Sequence, residues 1–140
     1  MKNQKKPDSS RKNMRNCLSM LLLLLIANPV YAKWIKLDIS AENNESHFFD
    51  PDSIHKDGVM RKIWVLSSYE EIQKGGFRAV KTQYEFDCEH HQARSITLLL
   101  YPDRDATGDV IGAHRTESSK WFGFSANSMF RQIEETVCID

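Results

Sequence analysis

Apolar and polar residues follow three regimes along the chain. Residues 18–27 form a leucine-dominated run of ten residues behind a basic stretch and ahead of the breaker pair Asn28-Pro29. From residue 33 onward, apolar side chains recur at every second position, the period of a strand with one buried face. Residues 33–38 predict a first strand and residues 41–45 a polar loop. Residues 46–50 carry the pair Phe48-Phe49, and Asp50-Pro51-Asp52-Ser53 then predicts a turn, because proline fixes φ and short acids bond nearby backbone. Lys56-Asp57-Gly58 predicts a reversal, followed by a central strand over 59–67, rich in β-branched and aromatic residues. After a polar loop ending in Gly75-Gly76, residues 77–88 place Val80, Thr82, Tyr84, Phe86 and Cys88 on one face and Lys81, Gln83, Glu85 and Asp87 on the other. Further strands are predicted over 93–101 and 110–114, flanking a long turn at 102–109, and residues 120–124 are expected to pair as one more.

The last regime has the helical period. Met129, Phe130, Ile133 and Val137 stand at i, i+1, i+4 and i+8, one stripe of an α-helix. Asn127 or Ser128 is placed to cap its start. Arg131 and Glu135 are spaced to pair on its wet side.

The leading apolar run changes how the rest is counted. At ten residues it is too short to span a bilayer, which takes roughly 20. Val30-Tyr31-Ala32 supplies small residues at the positions read by a signal peptidase. The expectation is a cleaved signal peptide over residues 1–32, with cleavage after Ala32 and Met14 as an alternative start. The mature domain then spans 33–140 and works in the periplasm or outside the cell. No cysteine follows the apolar run at the cleavage point, so no lipid anchor is expected. The 140 residues carry 19 basic and 19 acidic side chains, but six bases and one acid lie in the leader; 13 bases and 18 acids remain, a formal charge of −5. That balance argues against a nucleic-acid binder.

Cleavage also removes Cys17, leaving Cys88 and Cys138 to enter an oxidising compartment, where a disulfide is expected. Closing a loop of about 50 residues stabilises by roughly 4 kcal/mol in the chain-entropy model. Cys138 lies near the apolar stripe of the helix and Cys88 faces the core. The fold class predicted is therefore α+β: an antiparallel sheet of about six strands, with one C-terminal helix packed on one face and tethered by a disulfide. No repeat, low-complexity tract or second domain is visible.

Catalytic chemistry is not signalled. Neither HExxH, G-x-S-x-G nor a glycine-rich phosphate loop is present; no catalytic residue, metal ligand set or cofactor is assigned. Glu89-His90-His91 makes an unspecific metal patch that works only in a turn, since neighbours on a strand point to opposite faces. Asp103, Asp105 and Asp109 have calcium-loop character, but His114 stands where the closing glutamate belongs, and an acidic turn explains them better. Trp34, Trp64 and Trp121 read as core. Arg61, Lys62, Arg78 and Lys81 form a candidate basic binding patch on an acidic domain.

Taken in order, several features resemble one family. They are Trp34 soon after the cleavage site, the segment Phe48-Phe49-Asp50-Pro51-Asp52-Ser53-Ile54, a strand with Trp64, the strand from Phe77-Arg78-Ala79-Val80-Lys81 to Cys88, then Gly108, Trp121 and a terminal helix ending in Cys138. Together these look like the bacterial surface-adhesin protein E family over essentially the whole mature chain. The resemblance implies a bent antiparallel sheet with a disulfide-tethered helix. It also implies a non-enzymatic binding module that attaches to extracellular matrix proteins such as vitronectin and laminin, or to another extracytoplasmic protein, and recruits plasminogen. The alternative from another class is a periplasmic small-ligand or metal-binding protein, using His90-His91 or a cavity between helix and sheet.

Overall fold

A computed structural model describes residues 33–39, 44–116 and 120–139. The leader and its cleavage point lie outside the described residues. Among those residues no helix is long and apolar enough to cross a membrane.

One antiparallel sheet runs in the order β1-β2-β4-β5-β6-β7. Its strands are β1 (Ile35–Lys36), β2 (Glu45–Phe49), β4 (Met60–Tyr69), β5 (Ala79–Asp87), β6 (Gln92–Tyr101) and β7 (Gly112–Arg115). Two short strands add to this path: β3 (His55–Asp57) pairs with β4, and β8 (Phe122–Gly123) pairs with β6. The helix α1 (Met129–Val137) follows, capped by Ser128, whose hydroxyl accepts from the Arg131 backbone N–H.

The turns form where the residue types require them. Asp50 accepts from the Asp52 amide beside a 3-10 turn at Pro51–Ser53. Gly58, at φ +55°, opens the two-residue reversal between β3 and β4. Asp103 closes the β6–β7 connection by accepting from the Thr107 and Gly108 amides at 2.8 and 2.7 Å. The three acids of this segment therefore make a turn built on one carboxylate.

The strands have two differently furnished faces. On one, Ile63, Val65, Phe86 and Ala93 meet Ile133 and Val137 of α1 in the main core. Phe130 packs among Tyr84, Phe86, Phe122 and Phe124 with ring centroids 5.0–6.3 Å apart. The space between helix and sheet, a place expected for a small ligand, is thus filled by side chains. Cys88 and Cys138 are joined across this side with Cα atoms 5.6 Å apart. Cys88 lies in the turn just beyond β5, its amide donating to the Val59 carbonyl.

Three local expectations are corrected. The first strand is confined to two residues. Residues 45–49, expected only as an aromatic segment, form a full strand. Arg131 pairs with Glu134 rather than Glu135, because Glu134 is buried and needs a partner.

Candidate functional site

The opposite face of the sheet carries no helix among the described residues. Its position follows from the register. Residues directly opposite each other on antiparallel strands share a face, so Lys36, Phe48, Leu66, Lys81, Leu99 and Ala113 form one row across six strands. The next row is Trp64, Gln83, Thr97 and Arg115. After it come His55, Lys62, Glu85 and Arg94.

A bulge completes this arrangement. Between β5 and β6 the register shifts at Gln83/Tyr84, so Ile96 is the extra residue. In an unbulged strand the three-residue spacing would place Arg94 on the opposite face from Thr97 and Leu99. Because the bulge takes Ile96 out of the alternation, all three face outward together, and Arg94 meets Glu85 while Ala93 enters the core.

Aromatic rings and cations alternate on this surface. Lys81 lies over the rings of Tyr101 and Trp34, at 4.9 and 5.6 Å, and donates to the Ala106 carbonyl at 3.0 Å. Arg94 lies 4.5 Å over Trp121 and donates to Glu85 at 2.7 Å. Lys62 approaches the same carboxylate at 3.6 Å. These contacts hold the cations in defined places while leaving the side chains of Lys62 and Arg94 40% and 34% exposed. Trp34, Trp64 and Trp121 are each only half-buried.

Two shallow clefts sit beside Trp34. One, of about 340 Å3, is lined by Phe48, Leu66, Ser46, Ser68, Arg104 and Asp105. The other, of about 200 Å3, is lined by Trp64, Leu99, Lys81 and Asp50. Burial raises the pKa of Tyr101, beneath Lys81, with the charge of Asp103 adding to the shift. A third cleft, of about 310 Å3, lies at the β1–β2 edge beside His47. Burial lowers the pKa of that imidazole against the opposing pull of Glu45.

The four cations expected as one patch are divided. Lys62 and Lys81 lie on the open face, two rows apart. Arg61 is on the helix side, buried, with Nε donating to the Val137 carbonyl at 3.1 Å and Nη1 to Gly58 at 2.6 Å. It serves the carboxyl end of α1, where a cation and a donor are both favourable. Arg78 sits at the β4–β5 loop, donating to the Glu70 carbonyl. His90 and His91, expected as possible joint ligands, diverge: His90 turns to Asp87 and His91 to Glu134, each at 2.9 Å. The tryptophans were expected in the core. Their signal for the other face was available in β4, where Trp64 falls between Ile63 and Val65.

Comparison with known proteins gives a consistent picture. The family model for surface-adhesin protein E matches residues 34–139. Among solved structures, the crystal structure of protein E from non-typeable Haemophilus influenzae is similar, with a TM-score of 0.53 at 14% identity over 81% of each chain. That likeness shows the fold. No curated protein matches this chain.

Proposed function

Because this chain belongs to the surface-adhesin protein E family, we propose that it is an exported, non-enzymatic binding module that presents its open sheet face to a host extracellular matrix protein. The observation that carries this reading is the family match over 34–139. The open face supports it with the features of an interaction surface: half-exposed tryptophans and pinned arginine and lysine side chains on a rigid sheet. In this reading the signal peptide is removed after Ala32 and the mature domain carries no lipid anchor. Partner attachment then depends on the protein's own surface.

Surface plasmon resonance of the exported, oxidised protein over immobilised vitronectin and laminin tests this. Saturable binding in the micromolar range or tighter is expected. Flat responses to both at that concentration would overturn the adhesin reading. The small-ligand alternative finds no support between helix and sheet, where Ile133, Val137 and Phe130 fill the space.

A further inference from the structure

We propose that the open face binds a sulfated glycan chain, a partner class that rests on the reading of this face as the binding surface. Charge complementarity carries the inference. The three central rows hold Lys36, Lys62, Lys81, Arg94 and Arg115 against a single acid, Glu85, although residues 33–140 as a whole have an acid excess. Asp50 and Asp105 each line one of the clefts beside Trp34, Asp105 next to Arg104, and Asp57 and Asp87 stand in the row beyond Lys62. The remaining acids lie elsewhere, among them Glu70 and Asp103 around the loops and Glu134 and Glu135 on α1. A basic surface on an acidic domain concentrates a polyanion at one place and repels it from the others.

The surroundings of the cations select a glycan among polyanions. Trp34 and Trp64 border adjoining clefts that open on the same face. An indole ring covers the apolar face of a sugar by burying its C–H surface. Around these rings stand uncharged groups able to exchange hydrogen bonds with hydroxyls: Gln83 and Thr97 in the Trp64 row, Ser46 and Ser68 in the larger cleft. Six strands at about 4.8 Å spacing make a strip roughly 24 Å wide, long enough for several sugar units. A peptide added as an extra strand would fit less well, since the edge strands β1 and β7 have only two and four residues.

The test is titration calorimetry of the exported protein with heparin, with fully desulfated heparin, and with a single-stranded DNA of matched charge. Expected are saturable binding of heparin that weakens with added salt, and at least tenfold weaker binding of both other polymers. Arg115→Ala and Lys36→Ala alter exposed side chains and leave the fold intact; together they should weaken heparin binding about tenfold. Trp64→Phe should weaken it less than Trp64→Ala. Heparin binding no tighter than that of the desulfated chain, equal binding of DNA, or insensitivity to the Arg115 and Lys36 changes would each overturn the proposal. If vitronectin or laminin still binds while heparin does not, this inference falls and the adhesin reading stands. Heparin binding with no response to either matrix protein has the opposite meaning.

Discussion

Asp103 shows how one side chain can determine a connection. Backbone donation from Thr107, followed by Gly108 and the Thr107 hydroxyl, outweighs the cost of partial burial and holds its carboxyl below the usual range. A carboxylate with a lowered folded-state pKa contributes stability that is fully present above its unfolded value of 3.8 and is lost as the pH falls through the folded value. Asp103→Asn should therefore flatten the acid limb of stability below about pH 4, measured as urea midpoints from pH 2 to 6, while costing about 1 kcal/mol at neutral pH. Arg61 is a second case. Removing its guanidinium by Arg61→Ala leaves the carbonyls of Val137 and Gly58 without this donor, and a loss of about 2 kcal/mol is expected in the same denaturation assay. That role was not legible in the sequence. The helix end that Arg61 serves lies 76 residues away, and beside Lys62 it reads as one more surface cation.

At the scale of elements, the helix and its tether decide whether the covered face stays covered. Phe130 contacts four aromatic rings, and Phe130→Ala should cost about 3 kcal/mol. Reducing Cys88–Cys138 should cost roughly 4 kcal/mol, read as a fall in the urea midpoint between oxidised protein and protein kept in excess phosphine. The helical stripe was plain in the sequence because one face is apolar and the rest wet. Strand β2 was not, because adjacent Phe48 and Phe49 break the two-residue alternation. The pair makes sense once both sheet faces are seen to be apolar at this point, with Phe49 in the main core and Phe48 beside Leu66 and Trp34. Nor could alternation find the bulge at Ile96, which changes side-chain parity midway along β6.

For the whole domain, the sheet divides its tasks between two faces. One is closed by α1 and the disulfide and fixes the fold; the other is left to aromatic rings and cations held by Ala106, Glu85 and each other. The overall architecture was legible because strand period, helix period and two cysteines agree with one another. The surface was not, since only the register brings Lys36, Lys81 and Arg115, far apart in the chain, onto one side. The measurement that tests this division most directly is affinity for immobilised vitronectin and laminin across surface variants. Trp64→Ala and Arg115→Ala on the open face should each weaken binding at least fivefold, while Glu135→Ala on the exposed side of α1 leaves it unchanged. Wild-type affinity in both open-face variants, with loss confined to Glu135→Ala, would contradict the account.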